Sequence, residues 1–593
     1  MTAVHTDAES VADAILAAVG KTVVLGLPLG LGKANHIANA LFSRAAADPT
    51  IGLTIFTALT LEKPRGGSDL ERRFMDPVVE RLFGDWPELA YAKALRGGGL
   101  PSNIEVNEFF FLAGRWMNNP VAQQSYISAN YTHAARYLAE RGVNVVAQLV
   151  ARRGERYSLG SNPDTVLDLR TLGAKFVFAG EISDEMPFMP GDAELPETAF
   201  DHVLDGPRFT LFAPPRMPID SCEYAIGLQA ARLVLDGGTL QIGIGEEGDA
   251  VAKALILRQH ENARFRDAVA RLGGPVPAQE GLAPFAQGLY GISEMFVDGF
   301  LQLMDAGILK REVDGALLHA AFFLGPRSFY ARLREMEPET LAKLRMTAVS
   351  FTNELYGDQD AKTRARVKAR FVNSALMATL LGALVSDGLE DGRVISGVGG
   401  QHNFVTQAFA LPDARSIVSI KATRRASGKV QSNIRFNYGH VTIPRHERDI
   451  IVSEYGIADL RGKPDAAVVA AMLAIADSRF QDELLRAKDA GKIAEAYEIP
   501  REFRDNTPDR IARALAPLDL PPYPFGTDFT AVEQRLLVAL ETLKNATPLT
   551  LARLLLKGGP RDAEALHRMG LDRLTNLSER LAARLLNGAL RSG

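Results

Sequence analysis

Apolar runs of strand length alternate with amphipathic stretches from the start of the chain to about residue 215. In "KTVVLGLPLGLGKANHIANALFSRAAADP" a buried-type strand enters a glycine-rich turn and then a helical pattern. "GLTIFTAL", "NVVAQLVA" and "AKFVFAGEI" are apolar without polar alternation, which predicts strands covered on both faces and a mostly parallel sheet. The proline-rich "LDGPRFTLFAPPRMPID", 204–220, predicts a connector. The alternation then resumes. "GTLQIGIGEEGDAVAKALIL" again reads strand, glycine turn, helix, and "RVISGVGG", "SIVSIKAT" and "HVTIPRHERDIIVSEYG" read as further strands. Similar openings in the two regions suggest an old duplication, although no clean repeat is visible. A second proline-rich break, "APLDLPPYPFGTD" at 516–528, precedes "FTAVEQRLLVALETLKNA", "LTLARLLLKGG" and "DAEALHRMGLDRLTNLSERLAARLLNGAL", all with helical periodicity.

Composition narrows the class. A chain of 593 residues is too long for one hydrophobic core, and its 47% apolar and 23% charged content is ordinary for a soluble globular protein. The net charge of −4 gives no global field for nucleic acid or an anionic membrane. Cys222 is the single cysteine, so an internal disulfide or a thiolate metal site is excluded. Its acidic neighbours in "DSCEYAIGLQAARLV" would raise its pKa, and a packed side chain is the expected role. The N-terminus lacks a basic segment and a cleavable apolar core. "SALMATLLGALV", 374–385, is shorter than the ~20 residues of a membrane span. A cytoplasmic protein is expected.

Several turns carry candidate chemistry. The 26–33 turn resembles a P-loop, but Gly26 lies one residue too far from Lys33 and Ala34 replaces the required Ser or Thr. "GIGEEG", 243–248, fits a dinucleotide turn, a packing turn or a set of backbone N–H groups facing an oxyanion. Glu246 and Glu247 argue against a pyrophosphate there. "SGVGGQHNF", 396–404, has glycines enough for backbone to approach a ligand. Lys421, Arg424, Arg425 and Lys429 in "IKATRRASGK" form either a solvated face or a phosphate contact. The histidines show no metal spacing, so no metal is expected. The run "GISEMFVDGF" places Glu294 and Asp298 among residues that demand burial.

Taken together, "GISEMFVDG" (291–299), "FVNSAL" (371–376), "SGVGGQHNF" and "VSEYGIADLRGKP" (452–464) resemble the acetyl-CoA hydrolase/transferase family, which includes succinyl-CoA:acetate and 4-hydroxybutyrate CoA-transferases. The resemblance covers about 220–500, is looser before that, and does not reach the tail from about 526. It implies an α/β fold of two CoA-transferase-type (NagB/RpiA/CoA-transferase-like) domains, 1–215 and 216–525, and leaves a small helical appendage at 526–593.

By the same resemblance Glu294 is the nucleophile, forming a glutamyl-CoA thioester during CoA transfer to a carboxylate, and the amides of Ile244 and Gly397 stabilise the oxyanions. An ordinary glutamate would already be ionised at neutral pH and need no general base. CoA-binding positions carry over to Gly243, Ile244, Gly245, Glu246, Glu247, Asn373, Arg393, Gly397 and Arg415, with lysine usual in relatives at 393 and 415. Coenzyme A enters as substrate and no prosthetic group is expected. The partners implied are acyl-CoA and small carboxylates, with a homodimer compatible, and neither nucleic acid nor membrane. Net acyl-CoA hydrolysis at the same site is the nearest alternative. A dinucleotide-dependent oxidoreductase and a non-catalytic CoA-binding protein stand further off. The chain departs from the family at "RLGGPVPAQEGLAPFAQ" before Glu294, at Met377, at Asn403 and in the tail.

Overall fold

A computed structural model describes residues 2–426, 428–557 and 562–591. The first set of apolar runs forms a sheet in the order Ala3–His5, His202–Leu204, Val177–Ile182, Val145–Arg153, Thr22–Leu29, Gly52–Ala58, Ile104–Glu108. Every neighbouring pair on this path is parallel. That arrangement explains the missing polar alternation, because parallel strands are covered by helices on both faces.

The second sheet follows the order Leu344–Met346, Leu318–Phe323, Tyr290–Phe296, Thr239–Gln241, Arg370–Ser374, Arg415–Ser419, Ile450–Ser453, Gly456–Asp459. Its last pair is antiparallel and all others are parallel. Leu318–Phe323 is buried along its whole length. The carboxyl ends of the parallel strands therefore share one edge, where open α/β sheets bind ligands.

Two expected strand stretches are absent: 440–449 of "HVTIPRHERDIIVSEYG" holds only an isolated bridge at Ile443 and the short turn Arg445–Glu447 before strand Ile450–Ser453, and the other is 393–395. "RVI" at 393–395 makes only an isolated bridge between Gly388 and Val394. Its backbone is engaged instead by the first half: Val394 N–H donates to Gln123 Oε1 at 2.8 Å, and Gly114 N–H donates to Ile395 O at 2.7 Å.

The two proline-rich breaks pack against each other. Ile219 N–H donates to Pro522 O at 2.8 Å, and the Tyr224 hydroxyl donates to Pro521 O at 2.6 Å. Helices Ala531–Lys544, Pro548–Leu556, Ala563–Arg568 and Leu577–Leu590 follow, and Gly558 and Gly559 of the expected "LTLARLLLKGG" helix lie outside the described residues. The tail leans on helix Asp69–Phe83 through Arg73–Glu579 at 2.9 Å and Arg81–Glu533 at 2.5 Å. No helix among the described residues is long and apolar enough to cross a membrane.

Candidate active site

A cavity of about 600 Å³ opens at the carboxyl edge of the second sheet. Its lining combines the ends of Thr239–Gln241, Tyr290–Phe296 and Arg370–Ser374 with the 395–401 turn, Lys421 and Arg424, and takes Phe110 and Ala113 from the first half.

Glu294 stands two residues before Phe296 ends its strand, and it lines this cavity. Asn353 Nδ2 donates to Glu294 Oε2 at 2.6 Å. Burial pushes the Glu294 carboxyl up to about 7, the Asn353 hydrogen bond pulls it down, and the nearby Asp164 charge pushes it up further. Full ionisation at neutral pH, expected for an ordinary glutamate, is thus corrected: a desolvated carboxylate without a cationic partner holds its proton more tightly. The other acid in the motif, Asp298, differs. It accepts from Arg216 Nη2 and from Gln302 Nε2 at 3.0 Å, and so ties the 204–220 connector to the second half.

The glycines of 396–400 are steric necessities. A Cβ on Gly400 would overlap the Glu294 carboxylate and the Asn353 amide. A Cβ on Gly397 would stand 2.7 Å from Phe110 Cα, and Gly399 adopts φ +56°. Tyr131 N–H donates to Gly399 O at 3.0 Å, and Ser396 Oγ donates to Phe111 O at 3.1 Å. The turn is thereby clamped between Glu294 and the first half. Behind it the Tyr131 hydroxyl donates to Asp164, whose carboxyl burial raises to about 6.

Of the residues singled out in the sequence, Glu294, Gly243, Ile244, Glu247, Asn373 and Gly397 line the cavity. The Ile244 and Gly397 N–H groups donate to no other described protein group, and the Ile244 side chain is half exposed. Asn373 Nδ2 donates to Gln241 Oε1 at 3.3 Å, and Glu247 accepts from Ser419 Oγ. Gly245 and Glu246 begin helix Glu246–His260 outside the lining. Arg393 pairs with Asp391 at 2.7 Å on the exterior, and Arg415 is held between Asp449 at 2.6 Å and Asp459 at 2.5 Å. Neither arginine reaches the cavity. Met377 lines it, whereas Asn403 is buried and donates to Thr132 Oγ1 at 3.1 Å. Burial and then the Glu454 charge raise the Cys222 thiol far above its ordinary range.

Asn353, Phe110, Tyr131 and Asp164 escaped sequence reasoning. "SFTNEL" offers no spacing that marks Asn353, and the other three are brought to Glu294 by the fold.

Residues 325–488 match the family described as acetyl-CoA hydrolase/transferase C-terminal domain. The 4-hydroxybutyrate coenzyme A transferase of Clostridium kluyveri is 27% identical over 323 residues, 53% of this chain and 64% of that protein. The succinyl-CoA:acetate/propanoyl-CoA:succinate CoA transferase of Fasciola hepatica is 26% identical over 315 residues, 52% of this chain and 57% of that protein.

The chain is similar to the acetyl-CoA hydrolase/transferase family, through that family's C-terminal domain at 325–488.

The chain spans about six-tenths of the length of these curated relatives. Asn353, Asn373 and the 396–400 turn fall inside the stretch matched by the family, and Glu294 precedes it. RipA from Yersinia pestis has a similar fold, with a TM-score of 0.61 at 20% identity over 82% of this chain and 97% of that one. A 4-hydroxybutyrate CoA-transferase from Porphyromonas gingivalis has a TM-score of 0.56 at 20% identity, over 82% and 98%.

Proposed function

We propose that the protein transfers CoA from a short-chain acyl-CoA to a carboxylate through Glu294. The observation that carries this is a carboxylate with no cationic partner among the described residues, wedged against glycine backbone in a cavity of about 600 Å³.

The ionised Glu294 oxygen attacks the thioester carbonyl, the C–S bond breaks, and CoA thiolate leaves behind an acyl-glutamyl anhydride. The thiolate attacks the glutamyl carbonyl and expels the first carboxylate, which leaves glutamyl-CoA. An incoming carboxylate attacks that thioester and releases CoA thiolate. The thiolate then takes the new acyl group and frees Glu294. No net proton is consumed. Proximity and the loss of hydration convert a weak nucleophile into an adequate one. The unengaged N–H groups of Ile244 and Gly397 are assigned to the oxyanions. In this reading 1–215 and 216–525 are the two CoA-transferase-type domains, with 526–593 as an appendage.

The test is to incubate the protein with acetyl-CoA and a carboxylate such as propionate, butyrate or 4-hydroxybutyrate while following acyl-CoA products by mass and free thiol by colour. New acyl-CoA that appears only with an acceptor, and is lost in Glu294→Ala, is the expected result. Thiol release without an acceptor would assign hydrolysis instead. Undiminished turnover by Glu294→Ala would remove the assignment.

A further inference from the structure

The order of parallel strands acts as a ruler along the cavity. Glu294 rises from Tyr290–Phe296, whereas Lys421 and Arg424 follow Arg415–Ser419, and Thr239–Gln241 and Arg370–Ser374 lie between those strands. With neighbouring strands about 4.8 Å apart, the two stations are about 14 Å from each other. Among the described residues that line the cavity, Lys421 and Arg424 are the cations. Lys421 Nζ already donates to Glu223 Oε1 at 2.6 Å, and Arg424 donates to Asn433 Oδ1 at 2.5 Å and Gln431 Oε1 at 3.2 Å.

Toward Glu294 the character changes. Phe110, whose ring lies against Gly399, and Met295, next to Glu294 in its strand, contribute apolar surface to the lining, and Gln401 beside Gly400 is uncharged. Asn353 has its amide committed to Glu294, and the Tyr131 hydroxyl is committed to Asp164.

A thioester whose carbonyl meets Glu294 must place its acyl chain at this end. In a four-carbon dicarboxylic chain the second carboxyl carbon stands about 4 Å from the thioester carbon. That is far short of the cation station, so its charge would lose water with no cation to pair with and with acidic groups close by. A monocarboxylic chain of equal length brings only CH groups, which the apolar lining accepts. As acceptors the two classes differ by the same charge, because glutamyl-CoA is neutral at Glu294 and admits one incoming carboxylate.

Resting on the transferase reading above, we propose that donors and acceptors are monocarboxylic acids with an apolar chain, and that the cation-free Glu294 end of the cavity excludes dicarboxylic ones. The tight hold of Glu294 on its proton agrees, since burial and Asp164 already disfavour negative charge at this point.

The full chain would be assayed with butyryl-CoA and with succinyl-CoA as donors to acetate, then with butyrate and with succinate as acceptors from acetyl-CoA. Products are resolved by mass. We expect kcat/KM at least 100-fold higher for the butyryl member of each pair. Equal or better use of the succinyl member would overturn the exclusion and leave CoA transfer standing. Absence of new acyl-CoA from every pair would instead defeat the transferase reading, and this proposal with it.

Discussion

Glu294 and Asn353 meet at 2.6 Å in a pocket where a carboxylate is costly, and under the proposed mechanism the protonation of that one side chain sets when the site reacts. Because burial holds the Glu294 carboxyl near about 7, kcat/KM should climb with pH along a limb centred there. Asn353 donates to the ionised form, so Asn353→Ala should raise the limb further and lower kcat/KM at pH 7 by about 10–100-fold. A pH–rate profile decides: lost activity with an unmoved limb would mean that Asn353 only orients the carboxylate. The same shift has a stability sign. The folded pKa lies above the ordinary ~4.3, so the group favours the folded state below that pH and loses its contribution as pH rises through about 7. Glu294→Gln carries no charge at any pH. It should therefore gain on the parent between pH 5 and 8, by about 1–3 kcal/mol in urea unfolding. A constant difference across that range would contradict the account.

At the scale of elements, the 396–400 turn and the tail's first helix illustrate what can be inferred before folding. Gly400→Ala should cut activity by at least about 100-fold while the chain still folds, because its methyl group would occupy the space of the Glu294 carboxylate. Full activity would show that the turn can withdraw. Glu533 caps helix Ala531–Lys544, accepting from Thr530 N–H at 2.9 Å, and also pairs with Arg81 and Arg568 while almost fully buried. Glu533→Ala should cost about 2–4 kcal/mol in thermal or urea unfolding, with kcat unchanged at temperatures where the variant is folded. That helix start is a capping box of Thr530 with Glu533, like the one of Ser68 with Glu71, and both are built from neighbours in the sequence. The 393–395 strand was misread for the opposite reason: its backbone partners, Gln123 and Gly114, lie far away in sequence. Glu294 became legible through a resemblance spread over several motifs, whereas Asn353 left no local trace at all.

The whole molecule completes the site by closing one half on the other. The second sheet supplies Glu294 and the first half supplies Phe110, whose carbonyl accepts from Leu59 N–H at 2.8 Å and whose ring backs Gly397 and Gly399. Nothing in Phe110 can react, so its contribution is to fix how far the glycine turn stands from the carboxylate. Phe110→Ala would leave a void beside the turn, of the kind that costs about 3–5 kcal/mol when a core aromatic is fully buried and less where, as here, it is partly exposed. The turn could then relax toward the first half and carry the Gly397 N–H out of position. A loss of about 10–100-fold in kcat is expected, with KM for acyl-CoA changed far less, because the donor is assigned to the transition state rather than to ground-state binding. Steady-state kinetics on the folded variant separate the two. A rise in KM with kcat preserved would make Phe110 a wall of the substrate cavity and no more, leaving the hydrogen bonds of the turn to Tyr131, Gly114 and Phe111 to hold it.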